Sequence, residues 1–361
     1  MTRTPDPRAG RAQTRERLFP RKLDLRRGAV ELTHGAGGKA SAQLFEELFQ
    51  PAFSNPQLDR GDDQARFAGR ERMVVATDGH VVKPLVFPGG NIGSLSVHGT
   101  INDVAMAGAV PLNLTASFIL EEGFPFADLR DIVEAMAAAA REAGVPVIAG
   151  DTKVVERGKG DGVFIATTGI GYIPDAVKDP PAADRARAGD VIIVSGTLGD
   201  HGVTVLAARE ALPLMAPIES DTAALHDLVA TLLAAAGGVR VLRDPTRGGL
   251  ATAINEICRA SGTGAVLNEA EIPIRRTVEA ACEILGVDPL YLANEGKLIA
   301  VVTADEAEAA LNALKGHPLG KDAAIIGTMT DDPNGFVQME TPMGGRRMVD
   351  WLVGDPLPRI C

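Results

Sequence analysis

The chain has 361 residues, with 36 Lys and Arg against 47 Asp and Glu, a formal net charge of −11 and 45% hydrophobic residues. Such a length favours two domains or one large one, because single cores stop growing by ~250–300 residues. The acidic balance argues against nucleic acid as the main partner, and no apolar run is long enough to span a bilayer.

Residues 1–28 hold nine Lys and Arg against three Asp and Glu, a +6 leader that leaves −17 for the rest of the chain. The leader is polar and Arg-rich, so disorder is expected there. It lacks an apolar h-region, so it does not read as a secretory signal, and Arg26–Arg27 does not read as a twin-arginine signal. Three cysteines fit a reducing compartment, and the cytoplasm is the expected location.

From residue 29 the pattern turns globular. A strand "AVELT" (29–33) leads into "HGAGGKA" (34–40) and an amphipathic helix, "SAQLFEELF" (41–49). Strand "RMVVATD" (72–78), the turn "FPGGNIG" (87–93), a helix over 94–109 and strand "LNLTASFIL" (112–120) follow. In 126–144, Leu129, Ile132, Val133 and Met136 recur at helical spacing and Gly144 supplies the stop. Strands "VPVIAGD" (145–151) and "GVFIATTGIGYI" (162–173) complete an N-terminal domain, 29–175, and a Pro-rich linker spans 174–189.

A second domain, 187–345, restarts with strand "DVIIVSG" (190–196). Helices are expected near 202–211, 221–236, 249–260, 275–285 and 305–316. Strands are expected near 264–268, 297–303, 323–329 and 335–340, before a tail over 346–361. Two α/β domains with mixed sheets result, and the irregular order does not suggest a doubly wound fold.

Gly35, Gly37 and Ala40 satisfy G-x-G-x-x-[GA], but no second parallel strand with an acidic tip promptly follows the helix, as a dinucleotide site would need. Nor is this a P-loop: Thr33 stands where the first Gly belongs, and Ala40 where Ser or Thr is required. What remains is a flexible backbone at Gly35, Gly37 and Gly38, with Lys39 at a helix start, able to hold an anion. A plain turn is the other reading.

Aspartates at strand ends and turns carry more. Asp63, Asp78, Asp103, Asp151 and Asp244 each sit in such a place. Any one alone is a cap or turn residue. Several emerging together would repel unless a cation held them, and hard oxygen ligands suit Mg²⁺ alongside substrate phosphates. The set, with the Gly loop, favours a Mg–nucleotide site. Lys153 lies two residues beyond Asp151, and Glu295 lies just before strand 297–303; each is a candidate functional group or a surface charge. Cys258 and Cys282 fall on apolar helix faces and read as buried small hydrophobes. Cys361, ending "DPLPRIC", has no such context.

The stretches "LTHGAGGKA", "FPGGNIGSLSVHGTINDVAMAGA", "GDTKVVERG", "VSGTLGDHG", "LRDPTRGGL", "ANEGKL" and the terminal "PLPRIC" together resemble the HypE family of hydrogenase maturation proteins. That family belongs with aminoimidazole ribonucleotide synthetase, selenophosphate synthetase and thiamine-monophosphate kinase. The likeness runs from about residue 30 to the end. Pro-Arg-Ile-Cys is its most discriminating part, whereas the aspartate motifs indicate the superfamily. The resemblance implies an α/β (α+β), two-domain aminoimidazole ribonucleotide synthetase-like fold. It also implies a homodimer whose N-terminal sheets join into a barrel, with ATP near the dimer groove, and a flexible tail.

The activity implied is that of an ATP-dependent carbamoyl dehydratase. Cys361 would take a carbamoyl group from the carbamoyltransferase HypF, ATP would phosphorylate the amide oxygen, and a thiocyanate would remain. Its cyanide would reach the iron of a [NiFe]-hydrogenase through a HypC–HypD scaffold. On this resemblance Asp63, Asp78, Asp103, Asp151 and Asp244 hold or order Mg²⁺, and Lys153 stabilises phosphoryl oxygens or the anionic amide. Glu295 is the base, and His80, Lys83 and Asn102 face the nucleotide. Residues 353–361 could reach roughly 30 Å when extended, and Pro356 and Pro358 limit the entropy lost on docking. The α-carboxylate should raise the Cys361 thiol pKa and Arg359 should oppose it, which leaves the sign open. Other readings are a purine-pathway cyclo-ligase, a small-molecule kinase, or a non-catalytic scaffold with a docking tail. Selenophosphate synthesis is disfavoured, since no cysteine precedes Cys258.

Overall fold

Alternating exposure along Met73–His80 marks a half-buried strand, β1. The structure, a computed structural model, describes residues 19, 21–62, 64–210, 217–354 and 359–361. In chain order the first domain adds β2 (Val86–Phe87), β3 (Gly90–Asn91), β4 (Val110–Glu121), β5 (Val147–Val155) and β6 (Val163–Tyr172). Its main sheet has the order β1-β6-β4-β5, with β4 and β5 parallel and the other pairs antiparallel.

Helices Ile92–Met106 and Phe126–Glu142 contribute Leu95, Ile101, Leu129 and Met136 to the buried core of this domain. On β1 the alternate set stays open, and Val75 is 70% exposed. The start of helix Ile92–Met106 is fixed by Asn91, whose Oδ1 accepts from the Gly93 and Ser94 amides at 2.8 and 3.1 Å. Ser94 Oγ in turn accepts from the Asn91 amide, closing a reciprocal cap. This matters because that helix carries Gly99, Asn102 and Asp103.

The second domain supplies β7 (Val191–Val194), β8 (Val239–Arg243), β9 (Gly264–Asn268), β10 (Ile299–Val302), β11 (Ala324–Thr330), β12 (Val337–Glu340) and β13 (Arg346–Met348). They form one seven-stranded sheet in the order β13-β12-β9-β11-β7-β10-β8. Only the β9–β12 pair is parallel. The expected mixed α/β architecture in two domains is what the chain adopts, and among the described residues no helix is long and apolar enough to cross a membrane.

Three expectations need correction. "AVELT" is not a strand: Val30 is strapped to Gly123 and Phe124 by two backbone bonds, and a 3₁₀ turn, Leu32–Gly35, follows at once. The turn forms because His34 Nδ1 accepts from the Glu31 amide at 2.9 Å. The helix expected from 221 starts only at His226, since Ala223 and Leu225 amides are committed to Glu295 and Asn102. Finally, Arg346–Met348, placed at the head of the tail, is strand β13. Most of the leader (1–18 and 20), Asp63 and residues 355–358 with both tail prolines lie outside the described residues.

Candidate active site

The chain terminus is seated against β1. The Val81 and Lys83 amides donate to the main-chain oxygens of Cys361 and Arg359 at 3.0 and 3.1 Å, so the tail runs antiparallel to the exit of β1. Arg209 binds both segments, reaching the Lys83 carbonyl at 2.9 Å and the Arg359 carbonyl at 2.7 Å. Arg359 pairs with Asp161, which also attracts Lys83 at 3.6 Å. Ile360 is the anchor, 4% exposed.

Burying that side chain is worth about 1.5–3 kcal/mol, and each hydrogen bond adds about 0.5–1.5. Against this, ordering each tail residue costs about 1–2 kcal/mol, and Arg359 sits at φ 60°, where a side chain costs of order 1 kcal/mol more. Gain and cost are similar in size. The tail is seated without being locked.

Where it is seated, acids converge. A Cβ added at Gly99 would lie 3.2 Å from His80 Cε1, 3.6 Å from Asp78 Oδ2 and 3.9 Å from Glu295 Oε2, so these three side chains share one small space. Glu295 is 3% exposed. Burial, then the charges of Asp221, Asp244, Asp78 and Asp103, push its carboxyl well above the usual range. Its Oε1 is buried without a hydrogen-bond partner, as is Nδ1 of His80. Burial also lowers the His80 pKa, against the pull of Asp78, 3.7 Å away. Among the described residues, both side chains thus keep one buried polar atom without a partner.

Burial comes first again at Cys361, pushing the thiol up. Glu295, Asp78 and Asp244 add to the shift while Arg247 opposes it. The sign left open by the sequence is therefore upward. The seated sulfur is held as a neutral group, and a thiolate forms more readily when the tail is out.

Asp103 is raised to about 7 by burial and by Asp244 and Asp78. Asp244 is raised to about 6, by burial and then by Asp78 and Glu256 against Arg243. Such mutually repelling carboxylates fit a divalent cation better than they fit one another. Among the described residues no three potential ligands form a ready-made cage.

The remaining candidates lie elsewhere. Asp78 faces Thr167, Thr167 faces Ala116, and Ala116 faces Gly150. Asp151 is thus three strand spacings from Asp78, roughly 14 Å across the sheet. Its carboxylate binds Lys153 Nζ at 2.6 and 2.8 Å. Both line a cavity of about 370 Å³ with Gly35, Gly37 and Gly38, walled by Phe45, Phe49, Phe53 and Phe118. Lys39 opens the following helix and is exposed.

Two residues expected to face nucleotide do other work. Asn102 is spent on backbone: Nδ2 donates to the Glu295 and Ala223 carbonyls at 3.1 and 3.0 Å, and Oδ1 accepts from the Leu225 amide at 2.8 Å. It clamps the base. Lys83 holds the tail through its main chain. Sequence reasoning missed Asp221, whose Oδ1 accepts from the Glu295 amide at 3.0 Å and whose Oδ2 meets Lys297 Nζ at 3.1 Å. It also missed Arg247, although that residue lies in the quoted "LRDPTRGGL".

Known proteins share the sequence and fold of both domains. The pattern of "AIR synthase related protein, N-terminal domain" covers residues 61–173, and that of the corresponding C-terminal domain covers 187–340. Carbamoyl dehydratase HypE of Cupriavidus necator is 62% identical over 345 residues, 95% of this chain and 98% of that one. A crystal structure of hydrogenase maturation protein HypE in complex with ATP superposes with a TM-score of 0.89 at 47% identity, covering 92% of this chain and 99% of that chain. HypE in a HypE–HypF complex gives 0.75 at 47%, covering 86% and 99%. On identity of this extent, across both domains, the chain belongs to the HypE family of carbamoyl dehydratases, enzymes of hydrogenase maturation within the AIR synthase related superfamily.

Proposed function

We propose that this chain dehydrates an S-carboxamide carried on its own Cys361 to a thiocyanate, using ATP and Mg²⁺, and so supplies the cyanide ligand of a [NiFe]-hydrogenase iron. The observation that carries this is the seating of Cys361 against the exit of β1, in the field of Glu295, a buried carboxyl with an oxygen unpartnered among the described residues.

In the reaction the carboxamide oxygen takes the γ-phosphoryl group of ATP, forming an O–P bond and releasing ADP. The C–O bond then breaks, phosphate leaves, and a C≡N group remains on sulfur. Both amide N–H hydrogens depart, one as the oxygen is phosphorylated and one as phosphate leaves. Glu295 accepts the first, made basic by its burial, and the second departs on the leaving group as hydrogen phosphate. His80, kept neutral, can orient the amide through its free ring nitrogen. Asp78, Asp103 and Asp244 would hold Mg²⁺, with Asp63 and Asp151 as further candidates. When bound, that ion offsets negative charge on the phosphates.

The cavity beside Gly35–Gly38 offers an apolar slot of base-binding size, with Lys153 at its rim. A homodimer meeting on the open face of the N-terminal sheet would cover Val75, Met73 and Ile119. HypF as carbamoyl donor, the HypC–HypD scaffold as acceptor and a cytoplasmic setting complete the reading. Incubation with HypF, carbamoyl phosphate and ATP–Mg²⁺ is expected to give a carbamoyl adduct on the C-terminal peptide that then loses one water by mass. An adduct that never loses water would favour the scaffold reading. No adduct, together with a small-molecule kinase activity, would favour the superfamily alternatives.

A further inference from the structure

The second residue of helix Asp200–Glu210 is a histidine that is wholly buried yet bound at both ring nitrogens. His201 Nε2 lies 2.8 Å from the Ile360 carbonyl oxygen, and Nδ1 lies 2.7 Å from Ser220 Oγ. A carbonyl can only accept, so Nε2 carries the hydrogen. Burial lowers the ring's pKa and keeps it neutral, so Nδ1 is an acceptor and the Ser220 hydroxyl donates to it. Ser220 Oγ accepts in turn from the Thr222 amide at 3.2 Å. Phe87 meets the ring edge-on at 5.5 Å. The ring is fixed in one orientation and one tautomer.

The neighbouring residue does the same for the base. Asp221 holds the Glu295 amide, and the Ala223 amide donates to the Glu295 carbonyl at 3.4 Å. Contact here is tight, because a Cβ on Gly296 would fall 1.8 Å from the Asp221 carbonyl oxygen. Segment 220–223 is itself tied to the first domain, its Ser220 amide donating to Pro88 at 2.9 Å.

We propose that His201, oriented by Ser220, is a positioning residue that seats the Cys361 tail for dehydration, on the same segment that positions Glu295. This rests on the function proposed above. Withdrawal of the tail leaves a buried N–H without its acceptor, which favours the seated state. One loop thus sets the separation between the sulfur-borne group and the carboxyl that deprotonates it.

The test uses the full chain and two readouts. Alkylation of each cysteine by iodoacetamide is followed by peptide mass, and dehydration is followed in a single turnover on protein already carbamoylated by HypF. In His201→Leu, Cys361 is expected to alkylate about tenfold faster, with Cys258 and Cys282 still protected. Dehydration is expected to slow at least as much, while carbamoyl transfer, which needs the tail out, is undiminished. His201→Gln keeps a side-chain N–H and should recover part of both effects, and Ser220→Ala should fall between. If His201→Leu does not fold, the Gln and Ala variants carry the test. Unchanged Cys361 alkylation would overturn the proposal, as would equal losses in carbamoyl transfer and dehydration. Failure of the unaltered protein to dehydrate would sink the functional reading instead, and the alkylation rates would still decide whether His201 seats the tail.

Discussion

Glu295→Gln is expected to accept the carbamoyl group at the normal rate and to dehydrate it some 10²–10⁴-fold more slowly, the range that a positioned general base contributes. The substitution keeps size and shape in a site where Asn102 and Asp221 hold only the backbone of residue 295, so the fold should be undisturbed. What is lost is a proton acceptor whose basicity burial has raised. The same change removes a charge that raises the Cys361 pKa, so the thiol of this variant should alkylate faster than that of the unaltered enzyme. Normal turnover would remove Glu295 from the base role.

Cys361→Ala is expected to abolish product outright while leaving nucleotide affinity intact. The cavity proposed for the nucleotide is built from residues between His34 and Lys153 and owes nothing to the terminus. Stability should change little, because Ile360 is the fully buried anchor and Cys361, partly buried against the core, loses a single sulfur atom, a change of about 1 kcal/mol. Nucleotide binding lost together with the thiol would mean that the tail builds the site instead of visiting it.

Much of this was legible in the chain because local patterns carried it. The strand β1 announces itself as a short apolar run before Asp78, and the helix over Leu129–Met136 by its helical period. Asp244 follows β8 directly, as expected of a strand end, whereas Asp78 lies inside β1 and Glu295 in the loop before β10. "AVELT" failed because five residues of strand-like composition can be strapped by two backbone bonds and turned by one histidine. His201 and Asp221 were invisible for a different reason. Their partners lie 159 and 74 residues away, and nothing in "GDHG" or "ESDTAA" distinguishes a positioned group from a helix start or a polar loop. Asn102 was seen but misjudged, since only the folded chain shows that its amide is wholly spent on backbone. Asp151 and Lys153 were grouped with Asp78 by motif, and the strand order separates them.

Fate of the carbamoyl oxygen decides the matter most directly. With ¹⁸O in the carbamoyl group on Cys361, a single turnover with ATP and Mg²⁺ should deliver the label into inorganic phosphate and leave a cyanated C-terminal peptide. Label released into water, with unlabelled phosphate, would contradict a dehydration driven by phosphorylation of that oxygen.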